Sequence, residues 1–295
     1  MITPEKHVLL APYTTFGIGG KADFFVIAQS QEDILEALAF AKEKHIEFFL
    51  LGTGANILIG DKGFRGLVIK NEANKTLLED VMLTAESGAT MSNLIDYTCH
   101  KGLSGLEHFA GIPSSVGGAL WQNLHFLSPD RSKTVYIGDT VAQAKIVKMN
   151  GEILHVDKSY FQFSYDWSIL HRTRDIVLDV TFALTPENSG VIAKRIAANK
   201  QWRDEKHPDN AMKTSAGSIF RKLEGYGAGR LVQQVGLKGY RIGGAKVSEK
   251  HANFVINDNG ATAKDVRNLI SLIQEKVKKE LGLQLETEIS FVGEF

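Results

Sequence analysis

Two glycine-rich segments constrain this chain more than any other feature of its sequence. The first, Leu51-Gly52-Thr53-Gly54-Ala55-Asn56, ends the strand-like run Phe48 to Gly52. Glycines at a strand end let backbone N–H groups converge on an anion with no side chain between. The second, Gly111-Ile112-Pro113-Ser114-Ser115-Val116-Gly117-Gly118-Ala119, sets three glycines, a proline and two hydroxyls in nine residues, and composition of this kind offers many exposed backbone donors. Each alone reads equally well as a tight turn or a structural Ω-like loop. Neither completes a familiar fingerprint: Ile57 stands where GxGxxG requires its last glycine, and no GxxxxGK[ST] run occurs. Two anion-friendly loops in one chain nevertheless point to a dinucleotide whose phosphates need two cradles.

The rest of the chain carries mixed periodicities. Ser30 and Asp33 stand in capping-box spacing, and Ile34, Leu35, Leu38 and Ala41 share one helical face in a segment ending at His45. The strand Phe48 to Gly52, the glycine turn and a short apolar strand from Gly66 to Lys70 complete an α/β or α+β unit. Between Asn71 and Pro186, the strand-like runs VMLTAESG, AQAKIVKM and DIVLDVTFAL accompany a single helical stretch, Met91 to His100. Pro186 to Gly190 is polar and turn-rich, and IAKRIAANKQWRDEK beyond it has a charged helical pattern. The clearest helix runs from Thr262 to Leu281, with Thr262 and Asp265 at its start and a stripe of Val266, Leu269, Ile270, Ile273, Val277 and Leu281. The expected fold is α+β in three parts, 1–70, 71–186 and 187–295, sharing a ligand cleft; 295 residues exceed what one small core usually occupies.

Charge and cysteine content exclude several classes. Lys+Arg and Asp+Glu both number 34, so no net field recommends nucleic acid or an anionic membrane, and any anion has to be held locally. The one cysteine, Cys99, supports neither a disulfide framework nor structural zinc. Nine scattered histidines form no HExxH, so no metal is expected. The N-terminal apolar run is too short to span a bilayer and lacks a cleavage site. A cytoplasmic monomer is expected, with no nucleic-acid or membrane partner.

Five separated segments narrow this further: TTFGIGG (14–20), LGTGANILIGDKGFRGLVI (51–69), GLSGLEHFAGIPSSVGGALWQN (102–123), AGSIF (216–220), and GLKGYRIGGAKVSEKHANFVIN (236–257) with the closing LQLETEISFVGEF. In these, over nearly its whole length, the chain resembles the UDP-N-acetylenolpyruvoylglucosamine reductases, in their shorter subtype. The resemblance implies vanillyl-alcohol-oxidase-like (PCMH-type) parts at 1–70 and 71–186 that bind FAD. It implies a third part, 187–295, that binds substrate, with the C-terminal tail returning to the active site. Gly52, Thr53, Gly54, Ala55 and Asn56, and Gly111, Ile112, Ser114, Ser115, Gly117 and Gly118, would serve the flavin phosphates. FAD and NADPH are the implied cofactors. The implied reaction reduces a nucleotide sugar, UDP-N-acetylglucosamine enolpyruvate, to UDP-N-acetylmuramate in peptidoglycan precursor synthesis.

Hydride transfer to the methylene carbon of an enolpyruvyl ether leaves an enolate, which needs cationic or hydrogen-bonding stabilisation and then a proton. By motif position Ser218 is the implied proton donor and Glu288 the acid supporting the enolate. By residue chemistry alone, Ser218 is a turn or cap, Glu288 a solvated strand face, and Glu286 an equal rival two residues away. Lys238, Arg241, Lys246, Lys250 and His251 are candidates for the substrate's phosphates or carboxylate, and Asn123 is a further substrate-binding candidate. Three stretches depart from the family. The chain reads Phe163-Ser164-Tyr165-Asp166-Trp167-Ser168 where the family carries Phe-x-Tyr-Arg-x-Ser with a catalytic arginine. It reads Leu124-His125-Phe126 where small residues are usual, and Arg221-Lys222-Leu223 where Lys-Asn-Pro is usual. An aspartate cannot donate as a guanidinium does. A flavin-binding homologue with altered substrate or lost activity is therefore the second reading, and Arg172 and Arg174 are the candidates to restore the missing charge.

Overall fold

The computed structural model describes residues 2–128, 130–209, 214–223 and 225–295. Among these residues the α-helices are α1 (Gln31–Glu43), α2 (Met91–His100), α3 (Val116–Gln122), α4 (Leu170–Thr173), α5 (Ser189–Lys206), α6 (Ala228–Gln234) and α7 (Ala263–Leu281). The chain divides into two compact units, one of residues 2, 27–38 and 70–203, the other of residues 3–26, 39–69 and 204–295.

The first unit is built on a five-stranded antiparallel sheet in the order Ile153–Asp157, Val141–Val147, Ile176–Ala183, Met82–Glu86, Thr76–Glu79. Its central strand, IVLDVTFA, is buried at all but two positions, as a strand with neighbours on both edges and cover on a face must be, whereas the edge strand ILHVD alternates exposed and half-buried. Phe182, Val180 and Ile146 of the sheet share a core with Leu94 of α2, Val116 and Leu120 of α3, and Ile192 and Ile196 of α5. Each such side chain contributes about 1.5–3 kcal/mol by leaving water. Because α5 buries its apolar residues here, it belongs to this unit as far as Arg203.

The sequence reading allowed one helix between Asn71 and Pro186, and the structure corrects this. Residues 116–122 are helical despite Gly117 and Gly118, because Ser115 caps the start with an extended backbone and accepts the Gly118 N–H at 3.2 Å. A short α4 follows later in the same region.

The second unit holds a four-stranded sheet in the order Glu5–Leu9, Lys21–Ala28, Phe64–Asn71, Phe48–Leu51. A three-stranded antiparallel sheet of Arg241–Ile242, Ala245–Val247 and Val255–Asn257 packs with α6 and α7 over Val232, Val247, Val266 and Ile273. The start of α7 is a reciprocal capping box: the Asp265 N–H donates to Thr262 Oγ1 (3.0 Å) and the Thr262 N–H to Asp265 Oδ2 (3.1 Å). Asp61 adds a second acceptor pair, taking the N–H groups of Ala263 (2.7 Å) and Lys264 (3.0 Å).

Candidate active site

In the second unit the AGSIF segment and the C-terminal tail run side by side. The Glu288 N–H donates to the Ile219 carbonyl (2.8 Å), the Arg221 N–H to the Glu286 carbonyl (2.9 Å), and Phe220 pairs with Thr287. Asn253 fixes the other edge: its Oδ1 accepts from the Phe220 N–H (3.0 Å), its Nδ2 donates to the Phe220 carbonyl (2.8 Å), and its own carbonyl accepts from Ile219 (2.8 Å). Ser218 bridges to Phe254 and is half-buried. Before it, Gly217 has φ +77°, and a Cβ there would meet no atom of the described residues within 4 Å. Of the rival carboxylates, Glu288 is half-buried and Glu286 is exposed. Asn253 had no assigned role in the sequence reading; it lies inside the KHANF run, but its type gives no sign that it clamps a neighbouring strand.

The Gly52–Asn56 loop joins this arrangement. Thr15 donates its N–H (3.2 Å) and its hydroxyl (3.4 Å) towards the Gly54 carbonyl, and the same hydroxyl lies 2.7 Å from the Ser215 carbonyl. Asn56 Nδ2 donates to the Glu288 carbonyl (3.4 Å), and the Ser290 N–H donates to the Asn56 carbonyl (3.0 Å). Beyond it, Ile57–Ile59 pairs in parallel with Ser290–Val292. Gly54 is required by its surroundings: at φ +67° a Cβ would stand 2.3 Å from the Tyr13 carbonyl oxygen. The turn therefore ties TTFGIGG, AGSIF and the closing tail together.

The basic candidates are dispersed. Arg241 is exposed and ion-paired with Asp258; Lys246 pairs with Glu249 (2.7 Å) and Lys250 with Asp209 (2.9 Å). Lys238 is exposed. Burial, aided by the Lys238 charge, holds the His251 imidazole below its usual range, and its Nδ1 accepts from the Asn253 N–H at 3.2 Å.

In the first unit the Gly111–Ala119 segment has already committed much of its backbone. The Ile112 N–H donates to Phe109 (3.1 Å), Val116 to Ala89 (2.9 Å), Gly117 to Ser87 (2.8 Å) and Gly118 to Ser115 Oγ. The segment is thus not the open bed of amide donors that its composition suggests, because its second half is a helix start docked on residues 87–89. A buried donor remains: Gln122 Nε2, at the end of α3, has no hydrogen-bond partner among the described residues. Such a donor, and the Ser114 hydroxyl before the start of the same helix, fit the acceptor-rich edge and phosphates of FAD.

Next to α3 lies the departure from the family pattern. Ser164 and Trp167 exchange backbone hydrogen bonds (3.1 and 3.3 Å), closing a turn in which Asp166 has φ +52°. Asp166 is only 1 % exposed, and its Oδ1 lies 3.5 Å from His125 Nδ1. The His125 ring packs on those of Tyr165 (4.7 Å between centroids) and Tyr136 (5.6 Å). Burial holds the His125 pKa below the usual imidazole value; the Asp166 carboxylate opposes this. Asn123, at φ +47°, holds the turn in place: its Nδ2 donates to the Ser164 carbonyl (2.9 Å) and its Oδ1 accepts from Gly138 (3.2 Å). A cavity of about 300 Å³ opens here, lined by Asn123, Tyr136, Lys158, Phe163 and Tyr165 among others. Arg172 and Arg174 are both exposed, and Arg174 lies over the Trp121 ring at 5.5 Å. The sequence reading noted His125 only as a departure.

The FAD binding domain family matches residues 22–157, and the family described as UDP-N-acetylenolpyruvoylglucosamine reductase, C-terminal domain, matches residues 207–292. UDP-N-acetylenolpyruvoylglucosamine reductase of Caldanaerobacter subterraneus subsp. tengcongensis is 38% identical over 283 residues, 96% of this chain and 91% of the relative. That of Moorella thermoacetica is 38% identical over 286 residues, 97% and 92%. The crystal structure of the Thermus caldophilus reductase superposes with a TM-score of 0.83 at 30% identity, covering 99% of this chain and all of that one. p-Cresol methylhydroxylase, at 12% identity and a TM-score of 0.54 over 92% of this chain and 83% of that one, shares the fold.

Proposed function

Because the chain belongs to the UDP-N-acetylenolpyruvoylglucosamine reductase family, we propose that it reduces UDP-N-acetylglucosamine enolpyruvate to UDP-N-acetylmuramate, with NADPH as hydride source, in peptidoglycan precursor synthesis. It is a flavoprotein oxidoreductase with an FAD-binding domain. The observation that carries the reading is the backbone bond from Glu288 to Ile219, which sets the tail carboxylate beside the segment bearing Ser218.

FAD, when held by this chain, would supply hydride chemistry toward the methylene carbon. Ser218 holds at Oγ the proton that the adjacent carbon then takes up. Glu288, half-buried where Glu286 is exposed, holds a proton toward the enolate oxygen. Gly52–Asn56, Ser114, Ser115 and Gln122 bind and orient the flavin nucleotide; Gly111, Ile112, Gly117 and Gly118 shape the helix start that presents them. Lys238 meets the diphosphate, while Arg241 first has to leave Asp258. Residues 1–70 and 71–186 serve the cofactor, and 187–295 the substrate.

The test is NADPH oxidation by purified, FAD-loaded protein with and without UDP-N-acetylglucosamine enolpyruvate. Substrate-dependent oxidation yielding UDP-N-acetylmuramate is expected. A protein that retains FAD but oxidises NADPH at the same rate with and without substrate overturns the reading.

A further inference from the structure

We propose that Asn253 is a positioning residue for the reduction: its carboxamide takes the place of a strand beside Phe220, fixes the backbone that carries the Ser218 hydroxyl, and so sets the rate of proton delivery while leaving substrate affinity alone. The inference rests on the reading above for the role of Ser218. Three features of the second unit carry it.

The first is the form of the clamp. Asn253 Oδ1 accepts the Phe220 N–H at 3.0 Å and Nδ2 donates to the Phe220 carbonyl at 2.8 Å. A residue of an antiparallel strand holds the residue opposite by the same pair of bonds, one accepted and one donated. The Asn253 carbonyl adds a third bond, from the Ile219 N–H at 2.8 Å, and Ser218 itself bridges to Phe254, the next residue along. The second feature is the contrast between the two sides of the serine. Upstream stands Gly217 at φ +77°, where a Cβ would meet no atom of the described residues within 4 Å. Glycine has the widest choice of backbone angles, so the direction of Ser218 is set from downstream, where the clamp lies. The third is burial. Phe220 is 1 % exposed and Asn253 7 %, so water has little access to either bond. The C-terminal tail takes the Ile219 carbonyl (2.8 Å) and the Arg221 N–H (2.9 Å), and the polar groups of Phe220 between them go to Asn253.

In the proton-transfer step the electron pair of the enolate forms a C–H bond with the Ser218 hydroxyl proton, and the alkoxide left behind takes a proton from solvent. A misplacement of about 1 Å costs a step of this kind on the order of 100-fold. The carboxamide is matched to its task because it accepts and donates at once. An ionised carboxyl at the same place only accepts and sets a negative oxygen against the Phe220 carbonyl, whereas a protonated one again does both. Asn253→Asp therefore makes the clamp depend on a proton. Burial and the facing carbonyl raise that carboxyl above the usual aspartate value of about 3.9. The titratable and charged groups around it are His251, whose Nδ1 accepts the Asn253 N–H (3.2 Å), Lys238, which bears on His251, His207, whose ring stands 5.7 Å from His251, and Arg221, Glu286 and Glu288 on the clamped strand and the tail. All are present in the wild type, so the ratio of variant to wild-type rate isolates the introduced carboxyl.

The experiment measures kcat, KM and the solvent deuterium isotope effect of the FAD-loaded full chain, Asn253→Leu and Asn253→Asp across the pH range in which the wild type turns over. Asn253→Leu is expected to lose about 10- to 100-fold in kcat with KM within about threefold, a larger solvent isotope effect, and unchanged flavin reduction by NADPH. Asn253→Asp is expected to show the same loss at high pH and to recover toward the wild-type rate, about tenfold per unit, as pH falls toward its carboxyl pKa. The exposed Asn259→Asp serves as a control with no loss. A wild-type kcat in Asn253→Leu, a loss in Asn253→Asp that pH does not relieve, or a loss shared by flavin reduction overturns the inference alone. Loss of FAD and of the thermal transition in both variants overturns it too, since the clamp then serves the scaffold and not the serine. A wild type that does not turn over UDP-N-acetylglucosamine enolpyruvate overturns the functional reading and this inference with it.

Discussion

Glu286 and Glu288 share a residue type and a stretch of chain, and only their surroundings separate them. Glu288 donates its amide to the strand of Ser218 and has its side chain half out of water; Glu286 accepts a backbone bond from Arg221 and stays exposed. A carboxyl group acts as an acid on a substrate oxygen only where water does not compete for the same contact. Glu288→Gln is therefore expected to lower kcat by about 100-fold or more, while Glu286→Gln stays within about threefold. Ser218→Ala is expected to lower kcat by about 100- to 10,000-fold with FAD still bound, as loss of a positioned proton donor does. Steady-state turnover of the three variants checks this, and equal losses at Glu286 and Glu288 would sink the assignment. The rivalry was open in the sequence because period-two alternation puts both carboxylates on one strand face; what decides it is the depth to which that face is covered, which comes from segments distant in the chain.

At the scale of elements, α7 shows what a sequence can disclose and α3 what it hides. Thr262 and Asp265 announce a helix start in the residues themselves, and the capping box forms as the spacing requires. Thr262→Ala is expected to cost about 1 kcal/mol, read as a lower denaturation midpoint. The Thr262 amide, first among its contacts, holds the Asp265 carboxyl below the usual aspartate range. A depressed carboxyl contributes stability that is full above its unfolded pKa, about 3.9, and is lost as pH falls through the lower folded value. The gap in thermal midpoint between wild type and Asp265→Asn should then be constant at neutral pH and close as pH drops below about 4; a gap that widens in acid would contradict the cap. In α3 two glycines mask the helix, since its start depends on docking to Ser87 and Ala89, residues that no local pattern connects to it. The same holds for Gly54, whose need for a left-handed backbone is visible only once Tyr13 lies against it. Gly54→Ala is expected to destabilise by about 2–4 kcal/mol and to weaken FAD retention. The segment following Pro186 was legible as a helix but not as a member of the first unit, because a turn-rich boundary says where an element ends and not which core its next apolar face joins.

For the whole molecule, the five motif segments were legible because each combines glycines, hydroxyls and apolar residues at fixed spacing, and relatives align over 96–97% of this chain. The His125–Asp166 pair was not legible as a pair, since it joins two departures that only the fold brings within 3.5 Å. Charge also acts at this scale. With 34 basic and 34 acidic side chains the molecule approaches zero net charge near neutral pH, where repulsion between copies is weakest and association is favoured. A thermal-shift measurement of cofactor binding should therefore be run about one pH unit above neutrality. There, FAD at 100 times its Kd stabilises the folded chain by about 2.7 kcal/mol through mass action. For a chain of this size that corresponds to a rise of about 5 °C in thermal midpoint. The rise should grow with the logarithm of FAD concentration and shrink in Gly54→Ala, whose loop is distorted before any ligand arrives. A midpoint indifferent to FAD across that range, in protein purified free of flavin, would mean that the Gly52–Asn56 and Gly111–Ala119 segments are turns of the scaffold and no more.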